Sequence, residues 1–170
     1  MPTFTGFPSP LGELLLTASD TALTGVYFPT ERQPITLSKR AEWREDDSSG
    51  PAGALLVRVR RQLTEYFGRA RTSFDLPLDP SGTTFQRRVW DALRTIPYGA
   101  TTSYGALARR LGDPRATRAV GAANGKNPIP IIVPCHRVVG VKGELTGFGG
   151  GIDRKRWLLE HEGALMGLGG

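Results

Sequence analysis

The chain is poor in the residues that would place it outside a reducing compartment, in a membrane or around a metal. Cysteine occurs once, as Cys135, and histidine twice, as His136 and His161. A lone cysteine forms no internal disulfide, which predicts a reducing, cytoplasmic setting. Three soft ligands are too few for a structural zinc site, so no metal is expected. No run of eighteen apolar residues exists, which excludes a transmembrane helix and leaves no membrane partner to expect. The opening MPTFTGFPSPLGELLL has no positive charge ahead of its short apolar stretch and does not read as a secretory signal.

Acidic residues are scarce in one half only. Residues 1–82 carry 9 Lys and Arg against 10 Asp and Glu, a net of −1. Residues 83–170 carry 13 against 6, a net of +7. The excess that sets the overall charge of +6 therefore sits in the second half, and a polyanion such as DNA is the expected partner.

At 170 residues and 39% hydrophobic content, the chain holds one ordinary domain or two small ones. The first half reads as sheet plus helix, an antiparallel α/β pattern. Leu11 to Ala18 and Ala22 to Phe28 are strand-like, with Ser19, Asp20 and Thr21 as the hairpin turn. Pro29 to Pro51 is polar and broken by proline and glycine, which predicts a long surface loop. Leu55, Leu56, Val59, Leu63, Tyr66 and Phe67 recur at helical spacing over 52–68. Ser73 to Leu78 is read as a returning strand. Asp79-Pro80-Ser81-Gly82 is a turn cluster and the expected boundary between domains 1–82 and 83–170.

The second half reads as mainly helical. Thr83 and Gln86 have capping-box spacing ahead of Phe85, Val89, Leu93 and Ile96. A second helix is expected from about Ser103 to Leu111. A third starts with Asp113 as cap and Pro114 at its first position, and runs to Asn124-Gly125. That pair, joined by Gly112-Asp113-Pro114, has the spacing of a helix-turn-helix. Its second helix is rich in Ala116, Ala119, Gly121, Ala122 and Ala123, with Arg115, Arg118 and Asn124 as its longer side chains. Such a helix approaches DNA closely but reads few base edges, so little sequence preference is expected. A last helix is predicted from Asp153 to Glu162, ended by Gly163.

The chemistry concentrates in Asn127 to Gly140. Pro128, Pro130 and Pro134 predict an extended path that leads into Cys135-His136. A free thiol is mostly protonated near neutral pH, and a histidine base oriented by a carboxylate raises its reactive fraction. Adjacent side chains on an extended strand point apart, so a bridging water is expected between Cys135 and His136. The run Gly147-Phe148-Gly149-Gly150-Gly151 matches no dinucleotide fingerprint. It is either a mobile loop or backbone that passes close to a ligand.

Pro134-Cys135-His136-Arg137, with Asn127-Pro128 and Arg118-Ala119-Val120-Gly121 before it, resembles the DNA repair alkyltransferases that act on O6-alkylguanine. The likeness extends to Ile96-Pro97-Tyr98-Gly99, Ser103-Tyr104, the glycine loop, and Trp157-Leu158-Leu159 through Glu162-Gly163, over about residues 83–163. It implies that Cys135 takes the alkyl group from the damaged base onto its own sulfur, once per molecule. It implies that His136 deprotonates Cys135 through a water, that Glu162 orients His136, and that Asn127 holds the active-site turn. Arg118 would fill the space of a flipped nucleotide, with Ser103 and Tyr104 also on the DNA side. Pro130, Val138, Phe148 and Gly149 would line the pocket. The family's helix-turn-helix enters the minor groove, which suits the small-residue helix. No cofactor is needed for transfer of an alkyl group to a thiolate. The partner implied is duplex DNA carrying O6-alkylguanine, bound by a monomer that can cluster on DNA.

Two departures stand out. Phe148 replaces the tyrosine common in the family, and residues 1–82 lack the Cys and His that bind zinc in some members. Two rival readings are a non-catalytic lesion-binding protein of the alkyltransferase-like type and a helix-turn-helix regulator. The acceptor-type Cys135 disfavours the first, and the scarcity of base-reading side chains disfavours the second.

Overall fold

A computed structural model of the chain describes residues 2–28 and 43–164. The part of the expected surface loop from Pro29 to position 42 lies outside them. The chain divides into two compact units, Met1–Ser81 and Gly82–Gly170. None of the described helices is long and apolar enough to cross a membrane.

In the first unit, Thr3–Ser9 (β1) and Gly12–Ala18 (β2) form an antiparallel hairpin around Pro10-Leu11. Gly12 closes the turn at a φ of 103°, a conformation that glycine adopts without steric cost. Leu23–Tyr27 (β3) pairs antiparallel with β2. The turn at Ser19 is as expected, its hydroxyl accepting from the Thr21 and Ala22 amides at 3.3 and 3.1 Å. Paired residues share a face, so Phe7, Leu14, Leu16 and Val26 make one apolar surface. Gly50–Phe67 (α1) covers the sheet with Leu56, Val59, Leu63 and Tyr66 buried, and Phe67 stacks on Phe7 at 6.3 Å. On the opposite face, Trp43 packs against Phe4 and Tyr27 at 5.8 and 5.2 Å.

The sheet departs from the sequence reading in three ways. β1 was not among the expected strands, because Gly6 and Pro8 both disfavour one. Among the described residues Arg44–Glu45 (β4) pairs only with Thr3 and Phe4, so no described strand takes up the Pro8 end of β1 on that side, where proline is tolerated. The pairing of β4 is parallel, so the order β3-β2-β1-β4 makes a mixed sheet rather than a purely antiparallel one. The expected strand from Ser73 to Leu78 reduces to one parallel bridge between Leu23 and Leu78. Pro77 supplies no amide hydrogen there. Buried Gln62 meets the backbone of Asp75 in both directions instead, at 3.0 and 2.9 Å.

In the second unit, Thr84–Leu93 (α2) begins at the expected capping box. Gln86 N donates to the Thr83 hydroxyl at 3.1 Å, and Thr83 N donates to the Gln86 side chain at 2.9 Å. Tyr104–Arg110 (α3) is capped by Ser103, whose hydroxyl accepts from Ala106 N at 3.1 Å. After Gly112, at a φ of 84°, Asp113 caps as expected. It caps a short 3₁₀ turn, Pro114–Ala116, and the α-helix Thr117–Gly125 (α4) starts only at Thr117. The Trp90 indole of α2 donates to Ala123 O of α4 at 2.8 Å in the core, which locks these helices together. Ile152–His161 (α5) ends at Gly163, at a φ of 79°. Thr102–Ser103 (β5) runs parallel to Val138–Val139 (β6), and this short ladder places the start of α3 beside the segment that follows Cys135.

Candidate active site

Asn127 to Pro134 does not run extended, contrary to the expectation from its prolines. The segment folds back on itself, and Val133 N donates to Ile129 O at 2.9 Å. Asn127 clamps both arms: its amide nitrogen donates to Val133 O at 2.8 Å, and its oxygen accepts from Ile129 N at 3.0 Å. Ile131 sits at a φ of 74°, a strained value for a β-branched residue, and its side chain is buried. The fold of this segment delivers Cys135-His136-Arg137 as one 3₁₀ turn rather than as a strand.

Cys135 is buried, and burial pushes its thiol up to about 11. Opposing that shift are a hydrogen bond from the Asn127 side chain, the positive charge of Lys155, and the backbone amides of Cys135 and His136 at the sulfur. Asn124, from α4, donates to Cys135 O at 3.4 Å.

His136 is fully buried, and its Nε2 donates to Glu162 Oε2 at 2.9 Å. Burial lowers its proton affinity below the usual histidine value, with the Glu162 hydrogen bond pulling the other way. A neutral imidazole that carries its hydrogen on Nε2 has its free lone pair on Nδ1. Nδ1 is buried and has no hydrogen-bond partner among the described residues. Among the described residues no direct hydrogen bond joins the Cys135 and His136 side chains.

Glu162 stands at the C-terminal end of α5, where the helix dipole disfavours a carboxylate. Burial also raises its proton affinity, but hydrogen bonds from His136 and Arg137 outweigh it and hold the carboxyl at about 2. Arg137 makes a forked contact, Nε to Oε1 at 2.8 Å and Nη2 to Oε2 at 3.0 Å. Its Nη1 donates to Ile96 O at 2.7 Å, and its guanidinium faces the Tyr98 ring at 5.8 Å. Sequence reasoning quoted Arg137 only as part of a motif and gave it no role. The signal was its place next to His136, since a 3₁₀ turn lets neighbouring side chains converge on one carboxylate. Lys155 was missed as well. Its place on the buried stripe of α5 with Leu158 and Leu159 was the available sign.

The other expected residues fall into two groups. Ser103 and Tyr104 lie against the site through the pairing of β5 and β6, and Tyr104 Oη donates to Thr146 O at 3.0 Å. Val138 follows the cysteine turn and is fully buried, and Pro130 is buried within the folded segment. Phe148 and Gly149 occupy the glycine-rich turn, half-buried and exposed respectively. Arg118 is exposed near the start of α4, away from the hydrogen-bonded cluster. Ala119 and Ala122 are exposed on the same helix, whereas Val120, Ala123 and Asn124 face the core.

Comparison with known proteins decides the lineage. Residues 84–164 match the family described as 6-O-methylguanine DNA methyltransferase, DNA binding domain. Residues 4–80 match the same enzymes' ribonuclease-like domain. The chain belongs to the 6-O-methylguanine DNA methyltransferase family. Among these methyltransferases, the methylated-DNA--protein-cysteine methyltransferase of Methanosarcina acetivorans is 44% identical over 158 residues, 93% of this chain and 96% of its own length. The Mycobacterium bovis protein of the same name is 50% identical over 154 residues, 91% of this chain and 88% of its own. The crystal structure of the Mycobacterium tuberculosis O6-methylguanine methyltransferase superposes with a TM-score of 0.83 at 49% identity, covering 96% of this chain and 94% of that one. A structure of the Mycobacterium tuberculosis protein in complex with DNA gives 0.80 at 48% identity, covering 95% and 93%.

Proposed function

We propose that this methyltransferase repairs duplex DNA by direct reversal, taking the alkyl group of O6-alkylguanine onto Cys135. The observation that carries the reading is the pairing of the sole cysteine, seated by Asn127, with a neutral buried His136 that Glu162 orients. In the reaction, a bond forms between Cys135 Sγ and the alkyl carbon while the bond from that carbon to O6 breaks. The electron pair of the broken bond stays with guanine. The thiol proton passes through water to His136 Nδ1, and an equivalent proton restores the neutral guanine. The product is a thioether with no easy leaving route, so each molecule acts once. No cofactor enters this balance. The alternative of a non-catalytic lesion binder is disfavoured by Cys135 itself.

O6 of a paired guanine is not reachable within the stack, so the nucleotide must leave the duplex at a cost of a few kcal/mol. We assign α3 and α4 as a helix-turn-helix for the minor groove, with exposed Ala119 and Ala122 permitting close approach and Arg118 entering the duplex. Tyr104 and Ser103 would lie at the flipped nucleotide's path, and Pro130, Val138, Phe148 and Gly149 would line its pocket. Domain 83–170 would hold all of this chemistry and domain 1–82 none of it. The active species would be a cytoplasmic monomer with little sequence preference.

The wedge assignment gives a split result. Arg118→Ala should slow repair of duplex DNA about tenfold or more, while transfer from free O6-benzylguanine changes less than about twofold, because the free base needs no flipping. Equal slowing of both substrates would remove Arg118 from that role.

The base assignment gives a pH result. Since the proton affinity of folded His136 lies below the ordinary 6.5, it stays neutral and able to accept a proton through that pH. Transfer should hold within about twofold from pH 7.5 to 6.5 and fall only in more acidic buffer. A rate that already halves near pH 7 would contradict a buried neutral base.

A further inference from the structure

Glu162, which orients His136, rests on a turn that the mechanism above does not use. After α2 the chain passes through buried Ile96 into Pro97-Tyr98-Gly99-Ala100, a turn closed by Ala100 N donating to Pro97 O at 3.1 Å. Gly99 takes the third position at a φ of 81°, a value that suits glycine and strains other residues. The place is crowded as well as left-handed, since a Cβ at Gly99 would stand 3.2 Å from Glu162 O. Tyr98 Oη donates to His161 O at 3.4 Å, and the Tyr98 ring faces the Arg137 guanidinium at 5.8 Å.

Glu162 is thereby held at both ends. Its carboxylate takes the Arg137 fork, and Arg137 donates in turn to Ile96 O at 2.7 Å, where the turn begins. Its backbone, with that of His161 before it, packs on Gly99 and Tyr98. Glu162 follows the last residue of α5, and helix ends fray, so a support from outside the helix decides where its carboxylate stands. We infer that Tyr98 and Gly99 are positioning residues for alkyl transfer, which set the place of Glu162 against His136 through the end of α5 and through Arg137. They act through the 2.9 Å hydrogen bond from His136 Nε2 to Glu162 Oε2. The inference rests on the proposed transfer to Cys135 with His136 as base.

The test uses Gly99→Ala, which drives a methyl group against Glu162 O, beside Gly50→Ala and the parent protein. Gly50 also has a left-handed φ, of 74°, but a Cβ there meets nothing within 4 Å, so Gly50→Ala carries the backbone strain without the contact. Transfer is followed by single-turnover reaction with free O6-benzylguanine, and the His136 Nε2 proton by NMR. Gly99→Ala should slow transfer about fivefold, since displacing a catalytic group by a fraction of an ångström is costly, while Gly50→Ala stays within about twofold. The Nε2 proton should move upfield in Gly99→Ala alone, a longer hydrogen bond being a weaker one.

A second pair of variants does not depend on the folding of Gly99→Ala. Tyr98→Leu removes both the ring beside Arg137 and the hydroxyl on His161 O, and should slow transfer about threefold with the same upfield movement. Tyr98→Phe keeps the ring and should recover most of the rate. A parental rate in Gly99→Ala or in Tyr98→Leu would overturn the inference. So would slower transfer with an unmoved His136 proton, or equal slowing in Gly50→Ala, because the loss would then be one of general stability. If the parent protein itself transfers nothing from O6-benzylguanine to Cys135, the proposed function fails instead.

Discussion

Replacing Cys135 with serine should abolish alkyl transfer while leaving DNA binding nearly intact. The substitution exchanges one sulfur for oxygen in a buried turn whose backbone is held by Asn127, Asn124 and Val133. The fold should tolerate it. The chemistry should not, because a hydroxyl is far less ionised than a thiol near neutral pH and is the weaker nucleophile toward a saturated carbon. His136 can relay a proton, yet the nucleophile must still form. Binding should persist, since the basic charges of the second half and exposed Arg118 are untouched. Gel-shift affinity within about threefold of the parent and no detectable alkylated protein is the expected pair of results. Residual transfer at a measurable rate would mean that another side chain accepts the group.

The second large effect concerns stability. Arg137→Met should destabilise the protein by about 3–5 kcal/mol, the usual cost of removing one partner of a buried ion pair. Glu162 would then lose its guanidinium partner while keeping the hydrogen bond from His136, at the unfavourable end of α5, and Ile96 O would lose its donor. The pH dependence follows from the low value of about 2 for Glu162 in the folded protein. A carboxyl held below its unfolded value adds stability that is fully present above pH 4.5 and is lost as pH falls toward 2. Without Arg137 the folded value rises, so the remaining acid-sensitive stability is smaller and its loss, which starts at the same pH, is complete at a higher one. Urea unfolding at pH 7 and pH 4 measures both parts. A loss below about 1 kcal/mol would place Arg137 among weak surface pairs and out of the buried cluster.

The two effects are separable in one further variant. Glu162→Gln keeps a hydrogen-bond acceptor for His136 but removes the charge that stabilises its protonated form. It should slow transfer while leaving affinity for undamaged DNA within about twofold. Transfer at the parental rate would remove Glu162 from the mechanism.

Local signals in the sequence carried most of the second unit. The capping box at Thr83, the Asp113 cap and the terminating Gly163 each have their own short-range cause, and each is present, while the helix expected from about Ser103 begins at Tyr104. The path of Asn127 to Pro134 was misread for a physical reason. Prolines restrict φ but do not choose between an extended run and a folded turn, and here the Asn127 clamp makes the choice. β1 was missed because Gly6 and Pro8 disfavour a strand, and the strand expected over Ser73 to Leu78 was drawn too long because its pairing depends on Leu23, distant in sequence. At the site, Cys135 and His136 were legible because a thiol nucleophile needs a base, whereas Glu162 was named only through the family resemblance. Arg137 and Lys155 were not, because neither touches the reacting atoms. Their importance appears only when burial leaves a carboxylate and an ammonium to be satisfied.

The central claim is that one protein molecule accepts one alkyl group, on Cys135. It is tested most directly by incubating the protein with excess duplex DNA that carries a single O6-methylguanine, followed by intact mass and peptide mapping. Repair should rise in proportion to protein and stop at one lesion per molecule, with the protein gaining one CH2 (about 14 Da) on the peptide that contains Cys135. Repair beyond one equivalent, or a methyl group found on any other residue, would contradict the account.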